Sequence, residues 1–274
     1  MTGIVASGIG FGILIFPPVA IRFISSYGWR VSYIIIGIAT LVLIILAAQF
    51  LKRDPHQIGQ LPYGEVKIKQ ETSISKGEGI SLGGAIRTGQ FWVSCVIYFC
   101  FGFFLHNIMV HVVPHAIELG VSSIDAANIL AIIGGTNIVG RIAIGGVSDK
   151  IGIKPSLILV FILASLVLFW LQLANELWML CLFATIFGFA YGGIMASQAL
   201  VVAELFGLSS LGAILGGVSF VYTIGGAVGP LLGGHIFDIT GSYYLTFLVC
   251  AVVAIVGLIL VWLLRPTRGL AGKI

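Results

Sequence analysis

The sequence predicts an all-α polytopic membrane protein, and three observations support this fold class. Only 9% of the residues are Asp, Glu, Lys or Arg, whereas a soluble domain contains about 25%, so charged side chains are too few to cover a globular surface. The mean hydropathy is +1.14. Apolar runs of about 20 residues, the length that a helix needs to cross a bilayer, recur along the chain. We expect helices because unpaired backbone groups are too costly in hydrocarbon for open sheets.

Eight apolar runs are long enough to form membrane spans. They fall near residues 3–24, 31–51, 89–113, 124–147, 155–174, 177–203, 211–237 and 243–264. The four cysteines all lie within these runs and lack the spacing of a metal site or a disulfide framework, so we favour a packing role for them.

Lysine and arginine collect between alternate spans, and this asymmetry predicts the orientation, because cytoplasmic loops are rich in these residues. Most of the basic residues follow span two, separate spans four and five, or follow span eight. These are Lys52, Arg53, Lys67, Lys69, Lys76, Arg87, Lys150, Lys154, Arg265, Arg268 and Lys273. We therefore expect both termini in the cytoplasm, and we expect the plasma (inner) membrane as the location. The net charge of +4 does not indicate nucleic-acid binding, because the basic residues follow the topology and form no patch.

A long polar loop divides the chain. Residues 52–88 contain glycines and charges and greatly exceed the other connections in length, as is typical of a domain boundary. The sequence therefore predicts three regions. Residues 1–51 form the last two helices of an N-terminal half, residues 52–88 form a cytoplasmic central loop, and residues 89–274 form a six-helix half with a short cytoplasmic tail.

An offset of 213 residues relates the first two spans to the last two. It aligns Gly3 with Gly216, Gly12 with Gly225, Pro17 with Pro230 and Gly28 with Gly241. Four spans precede the later copy within the six-helix unit, so we expect four further spans before residue 1 in a complete version. Many transporters consist of two related halves of this kind.

Several stretches of the sequence resemble one family. GGVSDKIGIK, residues 145–154, resembles the cytoplasmic signature between helices eight and nine of the major facilitator superfamily. SSYGWRVSYIIIGI, LKRDPHQIGQLPYGE and GPLLGGHIFDITGSYY look like its monocarboxylate transporter and oxalate/formate antiporter branch. The resemblance implies a major facilitator-type helical bundle in which helices five to twelve, eight of twelve, are present. It also implies transport of a small organic anion by alternating access, coupled to a proton or to a counter-anion.

Arg141 lies inside the apolar run GGTNIVGRIAIGG. An arginine near the bilayer centre costs about 2.5–3.5 kcal/mol on insertion scales. In one interpretation its side chain snorkels to the cytoplasmic interface, since Asp149 follows after about 12 Å of helical rise. In the other, Arg141 faces the central cavity and binds a carboxylate, which a guanidinium matches bidentately. The resemblance implies the second role.

The expected substrate is a monocarboxylate. Oxalate antiporters pair this arginine with a lysine in helix eleven, whereas LGAILGGVSFVYTIGGAVGPLLGG here has no charged residue. A single arginine suits a monoanion better than a dianion. Tyr191 and Tyr222 are candidate hydroxyl donors to the substrate, with packing or interface roles as the alternative.

Span three carries three histidines. Histidine changes its charge near neutral pH, so His106, His111 or His115 could carry a coupled proton if it faces the cavity. The alternative places His111 and His115 at the outer interface, with His106 and Asn107 as a deeper pair and as further substrate-binding candidates. The spacing without a nearby acid is a weak metal pattern, and no metal is predicted.

The signature residues have two interpretations. Gly145, Asp149, Lys150, Gly152 and Lys154 form a gate latch, as the resemblance implies, or they cap a helix and supply cytoplasmic positive charge. Neither interpretation makes them substrate ligands.

The sequence predicts neither an enzyme nor a bound cofactor. It contains no phosphate-binding loop, no paired carboxylates within a span and no nucleophile with a base. The expected partners are the anion, the lipid bilayer and a proton or counter-anion. Two alternatives stay open, namely a non-transporting fragment or subunit that needs an N-terminal partner and a membrane sensor on the same fold. A channel is disfavoured because no ring of charge appears.

Overall fold

The computed structural model describes residues 8–50 and 79–264 of the chain, and these ranges are almost entirely helical. The helices are α1 Gly8–Phe50, α2 Leu82–Ile86, α3 Gly89–Glu118, α4 Ser123–Ile151, α5 Ile153–Leu171, α6 Leu177–Phe206, α7 Leu211–Thr240 and α8 Tyr244–Leu263. Several predictions concern residues outside the described ranges, namely Gly3, Lys52, Arg53, Lys67, Lys69, Lys76, Arg265, Arg268 and Lys273. Among the described residues no strand forms beyond one isolated bridge between Gly79 and Gly207.

Within the described ranges, seven helices are long and apolar enough to cross a membrane, which confirms the predicted fold class. The sequence predicted eight spans, and the difference lies in α1. The range Gly8–Phe50 has 43 residues, whereas one crossing needs about 20, because α1 contains two helices that meet at a kink at Gly28. Its backbone leaves the helical region at Gly28, where φ is 74° and ψ is 160°. Glycine adopts such angles without the clash that a Cβ would cause.

The chain divides into two compact units. One comprises residues 1–18 and 77–274, and the other comprises residues 19–76. In the second unit the described residues all belong to α1, and large apolar side chains such as Tyr33, Ile34 and Leu43 are more than half exposed. Such a surface suits a helix that lies in lipid. The predicted boundaries after residues 51 and 88 stay a prediction.

The six long helices of the first unit surround an aromatic core. Helix α3 packs most extensively on α7, α4 packs on α6, and α5 lies against α6 and α8. Phe101 and Phe104 of α3 form edge-to-face contacts with each other, and Phe104 reaches Phe161 of α5 and Phe187 of α6 in the same way. Edge-to-face aromatic pairs contribute about 0.5–1.5 kcal/mol beyond the area that they bury, so this cluster holds three of the helices together.

Backbone contacts fix the ends of two helices. The amide of Ile80 donates to the carbonyl oxygen of Phe206 at 2.9 Å, which attaches the end of the predicted central loop to the end of α6. Helix α4 ends at Gly152, where φ is 92°, and α5 begins at the next residue. Gly152, within the signature, is therefore the one residue between α4 and α5.

Candidate functional site

Arg141 is buried in the middle of the bundle. Its side chain is 3% exposed, and its Nε donates a hydrogen bond to Oδ1 of Asn137 at 2.9 Å, one turn earlier on α4. Its Nη2 has no hydrogen-bond partner, and none of the described carboxylates forms an ion pair with it. Arginine side chains are cations in proteins. The side chain therefore presents a desolvated cation with a free donor.

Two tyrosines lie close to this cation, and a histidine contacts one of them. The hydroxyl groups of Tyr191 on α6 and Tyr222 on α7 are both within electrostatic reach of Arg141. The ring of Phe101 stacks on Tyr222 with centroids 5.5 Å apart and lies 6.1 Å from the Tyr191 ring. His106 meets Tyr222 edge to face at 5.5 Å. Four of the predicted substrate-binding residues, from four different helices, thus form one group, which we call the Arg141 cluster: Arg141, Tyr191, Tyr222 and His106.

Helix α6 approaches the Arg141 cluster closely because residue 192 is glycine. A Cβ on Gly192 would overlap the carbonyl oxygen of Asn137 and would lie 2.9 Å from the backbone nitrogen of Arg141. Only a glycine allows the two helix backbones to come this near. The neighbouring side chain, Tyr191, is thereby held next to the guanidinium.

Asn107 and His111 have different neighbours. Nδ2 of Asn107 donates to the carbonyl oxygen of Gly229 at 2.8 Å, and Nε2 of His111 lies 3.0 Å from the carbonyl oxygen of Pro230. Both acceptors belong to α7. His111 is only 8% exposed, so it is buried inside the bundle, against α7. The amide of Asn107 and the ring of His111 therefore fasten α3 to α7.

His115 lies one turn further along α3. Its ring packs edge to face on Tyr243 and Phe247, with centroids 6.0 and 5.0 Å apart. Its Nε2 is buried and has no hydrogen-bond partner. The structure shows no contact between His115 and the Arg141 cluster.

The signature residues lie at the end of α4 and the start of α5. Asp149 and Lys150 are exposed, and Gly145 has open space around it. Gly152 precedes α5 and no side chain caps this helix, so Asp149 does not form the capping hydrogen bond that one interpretation gave it. Lys154 instead donates from Nζ to the carbonyl oxygens of Trp262 and Leu264. Lys154 therefore connects α5 to the end of α8.

Sequence reasoning missed Asn137. It is completely buried, it holds the guanidinium of Arg141, and its Nδ2 has no partner. The signal was present in TNIVGR, since residues four apart on a helix are neighbours. A polar residue one turn before a buried arginine is therefore a candidate for direct contact with it.

Comparison with known proteins agrees with this architecture. The family model of the Major Facilitator Superfamily matches residues 1–174 and again 118–273. The chain is 29% identical to monocarboxylate transporter 12 of Rattus norvegicus over 275 residues, which cover 90% of this chain and 56% of that protein. It is 26% identical to monocarboxylate transporter 13 of Bos taurus over 259 residues, with 93% and 57% covered. The chain thus spans little more than half the length of these curated relatives.

Solved structures show the same fold. The fucose:proton symporter FucP of E. coli superimposes with a TM-score of 0.57 at 19% identity, over 90% of this chain and 59% of that one. A bacterial homologue of the human lysosomal transporter Spinster gives a TM-score of 0.60 at 16% identity, over 96% and 64%. Both proteins are described as transporters, and the likeness shows that this chain shares their fold.

Proposed function

The chain belongs to the Major Facilitator Superfamily, and from this membership we propose that it serves the transport of a small organic anion, a monocarboxylate, across a membrane by alternating access. The observation that carries the proposal is the state of Arg141. Its charge is buried, the described residues offer it no carboxylate, and its Nη2 lacks an acceptor. An uncompensated buried charge is strongly unfavourable. A bound carboxylate would supply both the missing charge and the missing acceptor.

The surroundings of Arg141 favour a monoanion. Within the Arg141 cluster the guanidinium is the one permanently charged group, and Tyr191 and Tyr222 add hydroxyl groups that can donate to a second oxygen. Two related proteins are named monocarboxylate transporters. One carboxylate neutralises one guanidinium, whereas a dianion would bring a second charge that these residues leave without a partner.

His106 is the proposed proton carrier, with exchange for a counter-anion as the alternative. It is half-buried and touches Tyr222, so a proton on its ring would add positive charge beside the substrate. Gly145, Asp149, Lys150, Gly152 and Lys154 are proposed to act at the gate. We propose the plasma (inner) membrane as the location, with both termini cytoplasmic.

Binding and uptake test this proposal separately. The purified chain is reconstituted into proteoliposomes, and equilibrium binding and uptake of labelled lactate, formate and oxalate are measured for wild type, Arg141→Ala, Arg141→Lys and Arg30→Ala. Arg30 is the matched control because it is an exposed arginine on α1. Loss of one partner of a buried charge pair costs about 2–5 kcal/mol, so Arg141→Ala should weaken lactate binding at least about 30-fold.

The outcomes separate the alternatives. Saturable lactate binding that Arg141→Ala removes, and Arg30→Ala keeps, supports the anion site. Binding of this kind without flux assigns the chain to a sensor or a subunit. If Arg141→Ala binds lactate as well as wild type, Arg141 serves topology or packing and the proposed substrate site is wrong.

A further inference from the structure

Two buried hydrogen-bond donors beside each other lack an acceptor. Asn137 is 0% exposed and Arg141 is 3% exposed, and the Nε of Arg141 donates to the Oδ1 of Asn137. Nδ2 of Asn137 and Nη2 of Arg141 are both buried and unpartnered. Each unsatisfied buried donor costs about 1–3 kcal/mol. Two such donors, on side chains that are hydrogen-bonded to each other, indicate a place where an acceptor binds.

The covalent geometry limits how far apart these donors lie. Nη2 and Nε share the carbon Cζ, and Nδ2 and Oδ1 share the carbon Cγ. With the 2.9 Å hydrogen bond between Nε and Oδ1, the two free nitrogens are separated by at most about 8 Å. A carboxylate that accepts one ordinary hydrogen bond on each of its oxygens spans about 8 Å between the donors. A single carboxylate therefore has the reach to accept from both.

A second buried asparagine in this bundle has a different hydrogen-bond pattern. Asn107 is 1% exposed, but its Nδ2 donates to Gly229, and the atom without a partner is the acceptor Oδ1. An unpaired acceptor repels an anion, whereas an unpaired donor attracts one. Asn137 has the reverse arrangement, because its Oδ1 accepts a hydrogen bond from Arg141 and its donor Nδ2 is free.

We propose that Asn137 is a second ligand of the carboxylate that Arg141 binds and that it also positions the guanidinium. This inference rests on the anion site proposed above. The side-chain oxygen of Asn137 fixes Nε of Arg141, and its Nδ2 and Nη2 of Arg141 donate to the substrate carboxylate. Because an amide is neutral, Asn137 orients the guanidinium without cancelling its charge. An aspartate here would form an ion pair with Arg141 and would repel the substrate.

The experiment compares lactate binding by four forms of the full chain in proteoliposomes at one pH. These are wild type, Asn137→Leu, Asn137→Asp and the control Thr136→Val. Thr136 is the preceding residue on α4, its hydroxyl bonds to the carbonyl of Ile132, and it lines an apolar crevice between α4, α5 and α6. A hydrogen bond to a charged group contributes about 1.5–3 kcal/mol, so Asn137→Leu should raise the Kd about 10- to 100-fold.

Asn137→Asp should weaken binding at least as much as Asn137→Leu, although its side chain has the same shape, and Thr136→Val should bind like wild type. Lactamide, which lacks the carboxylate, should not compete with labelled lactate in any form. Melting temperatures measured on the same samples show whether each variant is folded.

The inference and the proposed function fail in different ways. Suppose that wild type binds lactate, that Arg141→Ala does not, and that folded Asn137→Leu and Asn137→Asp bind like wild type. The free donors then only hold water, so the role of Asn137 is overturned while the anion site stands. If Arg141→Ala binds like wild type, the anion site itself is wrong and the role of Asn137 fails with it.

Discussion

Nζ of Lys154 lies 2.6 Å from the carbonyl oxygen of Leu264, so the first turn of α5 binds the C-terminal end of α8. The same nitrogen donates to the carbonyl oxygen of Trp262 at 2.7 Å. The last carbonyl groups of a helix have no partner within the helix and carry partial negative charge. A signature lysine that sequence analysis could assign only to a gate or to topology therefore makes a specific contact between two helices.

Replacing Lys154 by methionine should destabilise the bundle by about 1–2 kcal/mol, because two carbonyl groups lose a charged donor. The measurement is the melting temperature of the purified chain in detergent. Lys150→Met is the control, since Lys150 is exposed and lies on the same turn between α4 and α5. Equal melting temperatures for the two variants would show that the Lys154 contact contributes nothing.

Gly192→Ala should destabilise the chain by about 1–3 kcal/mol, the usual cost of inserting atoms into a packed interior. The new Cβ would overlap backbone atoms of Asn137 and Arg141 and would push α6, with Tyr191, away from the guanidinium. Gly146→Ala is the control, because open space surrounds Gly146 on α4, and glycine to alanine in a helix with room is favourable by about 1 kcal/mol. The two variants should therefore melt on opposite sides of wild type, and a shift in the same direction would contradict the close approach.

Tyr222→Phe should weaken lactate binding about 2- to 13-fold, since one hydrogen bond contributes about 0.5–1.5 kcal/mol. The phenyl ring keeps the stacking on Phe101, so the melting temperature should stay close to that of wild type. Tyr98→Phe tests the specificity of this effect. The Tyr98 hydroxyl is buried and has no partner, so its removal should raise the melting temperature and leave binding unchanged. Unchanged binding in Tyr222→Phe would remove Tyr222 from the site.

Sequence analysis found the parts of the site that carry charge or break an apolar pattern. Arg141 was evident because charge is so rare in the spans, and Tyr191, Tyr222 and His106 were candidates as polar side chains within them. Their assembly could not be predicted, because it depends on which faces of α3, α4, α6 and α7 meet. The partner of Asn107 is a carbonyl group 122 residues later, and no local pattern indicates such a contact.

The first two spans show a different limit. A glycine between two apolar runs is compatible both with a loop and with a kink of one residue between two helices. The structure contains the kink, since Gly28 has non-helical angles with a positive φ and lies between the two helices. Asn137, in contrast, could have been found, because residue spacing alone places it beside Arg141.

The buried charge itself leads to a prediction about stability. The double variant Arg141→Met, Asn137→Leu should be more stable than wild type by about 1–4 kcal/mol, as often happens when buried ionic groups are replaced by apolar residues of similar volume. It should bind no lactate. Arg141→Met alone should gain less stability, because neither Oδ1 nor Nδ2 of Asn137 then has a hydrogen-bond partner. Chemical denaturation of the three forms measures these differences, and a double variant less stable than wild type would show that the pair is structural.

His106 and His111 should differ in how they affect the pH dependence of binding. A carbonyl oxygen only accepts hydrogen bonds, so Nδ1 of His106, 3.1 Å from the Gly102 carbonyl, carries a hydrogen, and a coupled proton would be held at Nε2. The added charge lies against Tyr222, next to Arg141, and attracts an anion. Lactate binding, measured from about pH 8 to about pH 6, should therefore tighten as the pH falls. His106→Gln should abolish this dependence and His111→Gln should keep it, because His111 faces the Pro230 carbonyl on α7. Binding measured across this range in both variants decides the matter, and a dependence lost in His111→Gln but kept in His106→Gln would assign the coupled proton to the α3–α7 contact instead.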